Sequence, residues 1–91
     1  LRPFLLSVLV LASAVARADN TADEADLRFG RGVAAWNAAR YEEALGEFFQ
    51  SNRLVHNRNV LLNIARCYEQ LKRWDEAYRY YTDVLDERPP A

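Results

Sequence analysis

Apolar positions along this chain change their spacing once, after residue 18. Before that point the run Phe4-Leu5-Leu6-Ser7-Val8-Leu9-Val10-Leu11-Ala12 is apolar on every side. Beyond it, apolar residues recur at helical intervals interrupted by polar turns. Thr21-Ala22-Asp23-Glu24 has the form of a capping box, which predicts a helix from near Ala22 to about Ala38. Ala25, Phe29, Val33 and Trp36 are its apolar positions. Tyr41, Ala44, Leu45 and Phe48 form the stripe of a second helix that ends near Leu54. His56-Asn57-Arg58-Asn59 is a polar turn. Leu61, Ile64, Ala65, Tyr68 and Leu71 make a third stripe. Trp74, Ala77, Tyr78, Tyr81, Val84 and Leu85 make a fourth, stopped by Pro89-Pro90, which lack amide donors. No segment alternates convincingly at period two. The pattern predicts an all-α chain of four helices in two antiparallel hairpins.

The two hairpins are one unit written twice. Arg40-Tyr41-Glu42-Glu43-Ala44 recurs 33 residues later as Arg73-Trp74-Asp75-Glu76-Ala77. At the same offset Gly32 falls on Ala65, Leu45 on Tyr78, Phe48 on Tyr81 and His56 on Pro89, so aromatic meets aromatic and small meets small. Small residues at Gly32, Ala44, Ala65 and Ala77 suit a helix crossing, where a missing side chain lets two backbones approach. Copy one covers residues 25–57 and copy two residues 58–91, within a repeat domain of residues 19–91.

These residues resemble the tetratricopeptide repeat, a helix-turn-helix unit of about 34 residues that stacks into a superhelical solenoid. Copy two carries Leu61, Ile64, Ala65, Tyr68, Trp74, Ala77, Tyr81, Val84 and Pro89 at the signature places. Copy one keeps Gly32, Tyr41, Ala44 and Phe48. It departs at Arg28 and Arg31, where bulky apolar residues are usual, at Ser51, and at His56 in place of the proline. Either the first helix is rotated, or it acts as an end cap.

Composition separates the two segments further. All 13 Asp and Glu follow residue 18, leaving ten basic residues against them in the remainder. A mildly acidic domain without basic runs is not built for nucleic acid or an anionic membrane surface. Arg2, a short apolar run and the small residues of Ala16-Arg17-Ala18 have the order of an export signal, with cleavage predicted between Ala18 and Asp19. A run of about 12 apolar residues is short of the ~20 that a spanning helix needs. The expectation is a bacterial chain exported to the periplasm or beyond, with residues 1–18 removed and no stable membrane anchor left. Leu1 and the absence of Met indicate a non-standard or missing start, and Pro89-Pro90-Ala91 lies where a third copy would begin, so a longer repeat protein is expected.

Candidate chemistry is sparse. One cysteine and one histidine exclude an intrachain disulfide framework and the common zinc spacings, and neither metal nor cofactor is expected. Cys67 and His56 form the one conceivable thiol–base pair, but Cys67 falls beside an apolar stripe and His56 in a turn, with no oxyanion loop. The carboxylate pairs Glu42-Glu43 and Asp75-Glu76 fall at helix starts, where the helix dipole favours negative charge. Of the aromatic set Tyr68, Trp74, Tyr78, Tyr80 and Tyr81, most fall on core stripes, and Tyr80 is the one expected at the surface.

What remains is a surface. The resemblance implies a concave groove lined by the first helix of each hairpin, on copy two by Asn59, Leu62, Arg66, Glu69 and Gln70. Asn59 and Gln70 suit a peptide backbone, and Arg66 a carboxylate. Pairing of Arg66 with Glu69 at i,i+3 on a solvated face is the competing reading. The matching places in copy one are Asp26, Phe29, Val33, Trp36 and Asn37, of which Phe29 and Trp36 are better core candidates. Phe29 and Val33 break the basic pattern with which some members of the family hold a chaperone tail. The predicted function is non-enzymatic binding of a peptide or protein partner. The alternative is a self-associating structural subunit of an envelope assembly.

Overall fold

A computed structural model describes the backbone of residues 2–87 and the side chains of residues 20–87. Four helices follow one another: α1 Arg2–Asn37, α2 Tyr41–Leu54, α3 Arg58–Gln70 and α4 Trp74–Asp86. Each packs on the next, α1 on α2, α2 on α3 and α3 on α4. The architecture is all-helical, and no strand occurs among the described residues.

The bounds of α2, α3 and α4 fall within a residue or two of those expected. The start of α1 does not: the helix begins at Arg2, and Thr21 to Glu24 lie inside it. No glycine or proline occurs between Phe4 and Phe29, and Leu and Ala are strong helix formers, so a helix entering from the N-terminal side meets nothing that ends it. The side chains of Ala16, Ala18 and Asp19 lie outside the described residues, as does Pro89. Among the described residues no helix is long and apolar enough to cross a membrane.

The internal repeat reappears in the hydrogen bonds. After α1, Ala39 N–H donates to Trp36 O at 2.9 Å and Arg40 N–H to Ala35 O at 2.8 Å. After α3, Lys72 N–H donates to Glu69 O at 3.0 Å and Arg73 N–H to Tyr68 O at 2.9 Å. Both pairs are Schellman closures, and both place a left-handed residue at the same point, Ala39 (φ 58°) and Lys72 (φ 60°). An arginine then pairs with the first turn of the next helix, Arg40 with Glu43 at 3.5 Å and Arg73 with Glu76 at 2.9 Å. The Arg73 hydrogen bond holds the Glu76 carboxyl below the ordinary carboxylate value.

Packing at the crossings follows residue size. A Cβ on Gly32 would lie 2.5 Å from Phe48 Cε1, so only glycine lets α1 lie so close to this ring. Ala44, Phe48, Ile64, Ala65 and Cys67 are fully enclosed. Phe49 of α2, Tyr68 of α3 and Tyr80 of α4 join the two hairpins, with ring centroids 5.6–6.1 Å apart. Such spacings suit edge-on and offset contacts.

The first helix is in register with the third. Gly32 and Ala35 are buried at the places that Ala65 and Tyr68 occupy in copy two, so α1 is not rotated. Arg28 stands where copy two has Leu61, and Glu47 where it has Tyr80. These two make an ion pair at 3.3 Å where copy two has two members of its core packing, with Arg28 also reaching Glu24 at 3.0 Å. Ser51 is buried and donates to the Ala25 carbonyl at 2.9 Å, which satisfies its hydroxyl where Val84 stands in copy two. Phe29 and Trp36 pack against the core, Phe29 on Phe48 at 5.6 Å and Trp36 on Tyr41 at 5.0 Å. Val33 is exposed.

The fourth stripe is the main departure. Trp74, Tyr78 and Leu85 were expected in the core, and they are 60%, 76% and 57% exposed, whereas Tyr80, expected outside, packs within the aromatic joint. The inner face of α4 is Ala77, Tyr80, Tyr81 and Val84, so Tyr81 keeps its expected place. The repeat supplies the reason. Leu45, the counterpart of Tyr78, is only 8% exposed because α3 packs on α2, and no helix among the described residues packs on the equivalent side of α4.

Candidate groove between the hairpins

The side chains singled out on α3 lie together on its outer side. Arg66 is seven residues beyond Asn59, a separation that returns to the same face of a helix two turns on. Asn59, Arg66, Glu69 and Gln70 are exposed, and Leu62 is half-buried against the core edge. The side chains of Asn59, Arg66 and Gln70 make no hydrogen bond or ion pair among the described residues. Arg66 and Glu69 do not pair. Glu69 instead accepts a hydrogen bond from the Tyr81 hydroxyl at 2.8 Å, which ties the carboxylate to α4 and fixes its position. Burial, then the Glu69 hydrogen bond, pushes the Tyr81 phenol above its ordinary value.

On the α1 side, Asp26 and Val33 are exposed and Phe29 is half-buried. Asp26 and Asn59, which are equivalent in the repeat, line one cavity of about 230 Å³ between the hairpins. Phe29, Val55 and Val60 contribute its apolar wall, and Asn57 a further amide. The convergence of equivalent residues on one cavity is what a groove built from successive first helices requires. Val55, Asn57 and Val60 were missed by sequence reasoning, which read Asn57 only as part of a polar turn. Asn57 directly before α3 was an available signal, since its Oδ1 accepts from the Asn59 amide at 2.8 Å as an N-cap.

A second cleft, about 330 Å³, lies between α1 and α2 and is lined by Arg31, Ala34, Ala35, Arg40, Glu43 and Glu47. Glu47 Oε2 is buried there without a hydrogen-bond partner.

The residues considered for catalysis are not assembled. Cys67 is fully enclosed and burial pushes its thiol up to about 11, which suppresses the reactive thiolate. His56 is exposed and bound to Glu87 at the end of α4. Glu43 and Glu76 are engaged with Arg40 and Arg73 in first-turn ion pairs. Among the described residues no group of three or more His, Cys, Asp or Glu side chains is placed to hold a metal ion.

Residues 60–90 match the family model of the tetratricopeptide repeat. No curated protein and no solved structure matches the chain.

Proposed function

We propose that the chain, whose residues 60–90 match the tetratricopeptide-repeat family model, is a protein of that family, whose repeats generally mediate protein–protein contacts, and that it binds an extended peptide segment of a partner in the groove between α1 and α3. It performs no chemistry of its own. The observation that carries this reading is the unengaged polar set on α3, Asn59, Arg66 and Gln70, beside a cavity shared with α1. Polar side chains that satisfy nothing within the chain are free to bond a ligand backbone and carboxylates. A random-peptide display selection on the chain tests it. Enriched peptides should lose binding to the Asn59→Ala/Arg66→Ala double variant and keep it with Thr82→Ala on α4. Failure to enrich any peptide, or equal loss with both variants, would refute the reading.

The apolar run and the Ala16-Arg17-Ala18 sequence support export to the periplasm or the exterior. Mass spectrometry of the chain from its producing cell should find an N-terminus at Asp19. An intact residue 1–18 segment would overturn that placement.

One observation favours a second reading, self-association. Trp74, Tyr78 and Leu85 form an exposed apolar face on α4, and such faces mark association surfaces. Sedimentation should then show a dimer that Tyr78→Glu converts to monomer. A monomeric wild type at high concentration disposes of this reading.

A further inference from the structure

The cavity shared by Asp26 and Asn59 has a definite electrostatic sign. Among the described residues Asp26 is the only ionisable side chain that lines it, and its carboxylate makes no hydrogen bond or ion pair with any of them. Asp23 lies one turn earlier on the same side of α1 and is exposed. The backbone reinforces the sign. Val55, at the carbonyl end of α2, borders the cavity, and the C-terminus of a helix favours cations. The start of α3 faces the cavity as well, but the amides of Asn59, Val60 and Leu61 are all occupied by Asn57. Nearby basic groups are committed elsewhere, Arg28 to Glu24 and Glu47, and Arg58 to the Val84 carbonyl at 2.9 Å.

Size and lining match one long side chain. A volume of about 230 Å³ has room for one long side chain. Phe29, Val55 and Val60 supply apolar surface for a methylene stem, while Asp26 and the Asn57 and Asn59 amides supply acceptors for a charged head.

Resting on the groove reading above, we infer that this cavity receives a lysine or arginine side chain of the bound segment, and that Arg66 receives a carboxylate from the same segment. Arg66 lies two helical turns beyond Asn59 on the same face, roughly 10 Å along α3 at 1.5 Å per residue. An extended peptide in the polyproline-II conformation advances about 3.1 Å per residue and returns to the same face every three residues, so the acid stands three positions from the base. Residues between them pass over Phe29 and Leu62, which favours an apolar one. The groove therefore selects a segment of both charges in a fixed spacing. A uniformly acidic or basic one does not fit.

The test uses isotope-labelled chain and three end-blocked hexapeptides, Gly-Lys-Leu-Ala-Glu-Gly, Gly-Glu-Leu-Ala-Glu-Gly and Gly-Lys-Leu-Ala-Lys-Gly, titrated by amide chemical shift. The mixed-charge peptide should bind at least about tenfold more tightly than either other, as one charge-assisted contact each implies. Asp26→Lys should invert the preference towards the doubly acidic peptide, and Arg66→Glu towards the doubly basic one. Both sites are on exposed helix surface, and retained helical circular dichroism confirms folding. An unchanged ranking in Asp26→Lys, or equal binding of all three peptides, overturns the inference. If display-selected peptides still depend on Asn59 and Arg66 in that case, the groove reading stands without it. If no selected peptide binds either, the groove reading has failed first.

Discussion

The Arg28–Glu47 ion pair occupies positions that hold core-packing residues, Leu61 and Tyr80, in the second hairpin, and that substitution can be undone. Arg28 and Glu47 side chains are 26% and 18% exposed, and one carboxylate oxygen of Glu47 already lacks a partner. Changing Arg28→Leu alone strands Glu47 in this setting. Removing one member of a fully buried pair costs ~3–5 kcal/mol, and partial exposure brings the expected loss here to about 2 kcal/mol. The surface contact of Arg28 with Glu24 adds only a few tenths. Changing Arg28→Leu and Glu47→Tyr together installs the residues of copy two, Leu61 and Tyr80, both of which belong to its core packing. It should recover that loss and exceed the parent by about 1 kcal/mol, since apolar replacement of such pairs is neutral to stabilising. For a domain of this size 1 kcal/mol moves the melting midpoint by roughly 4–8 °C. Thermal unfolding followed by circular dichroism would therefore show the single variant lower by about 10 °C and the double variant above the parent. If the double variant is no more stable than Arg28→Leu alone, the two hairpins do not share one packing solution at this position, and the argument from the repeat fails.

Other outcomes follow from the same geometry. Gly32→Ala should destabilise by ~1–3 kcal/mol because its methyl meets the enclosed Phe48 ring. Gly30→Ala, with nothing within 4 Å of its Cβ, should stabilise by up to ~1 kcal/mol; urea unfolding that ranks the two alike would contradict the crossing geometry. Ala39→Gly and Lys72→Gly relieve left-handed residues and should each raise stability by ~0.5–1 kcal/mol after the entropy of glycine is counted, measured as a higher melting midpoint. Burial raises the Cys67 thiol from 9.0 to about 11, so the unfolded chain releases that proton first. Stability is full below pH about 9 and falls by ~2–3 kcal/mol as pH rises towards 11; Cys67→Ala should flatten the slope, and a thiol reagent at pH 8 should not label the folded chain.

The bounds of α2, α3 and α4 were legible, and so was the shared exposed face of Asn59, Arg66, Glu69 and Gln70 on α3, because both depend on local spacing. Gly32 was legible as a crossing residue because the repeat aligned it with Ala65, and the clash distance to Phe48 supplies the physical reason. The start of α1 was not legible. A capping box has the same sequence inside a long helix as at the head of a short one, and only the preceding residues decide. The aromatic stripe of α4 was misread for a different reason. Periodicity states which residues share a face, but burial depends on whether another element covers it. Trp74 and Tyr78 have the spacing of Tyr41 and Leu45, yet Leu45 is covered where α3 packs on α2, while no helix among the described residues covers Tyr78. Tyr80 carried a weak signal of its own, since Ala77, Tyr80 and Val84 step at three and four. Its counterpart Glu47 made that face look polar. The cavity with Asp26 required two elements 33 residues apart to converge, which no local pattern encodes.

The exposed Trp74 also determines what light will report about this chain. There are two tryptophans, and they stand in opposite settings. Trp36 is half-buried edge-on to Tyr41 in the first hairpin, while Trp74 is 60% exposed on the outer side of the last. Iodide should quench Trp74 emission and spare most of Trp36. A Trp36→Phe chain then carries a single fluorophore on the uncovered face, blue-shifting when anything lies down on α4. A Trp74→Phe chain reports unfolding of the first hairpin instead. Folding and association, which overlap in a circular dichroism signal, thus separate into two colours within one small molecule.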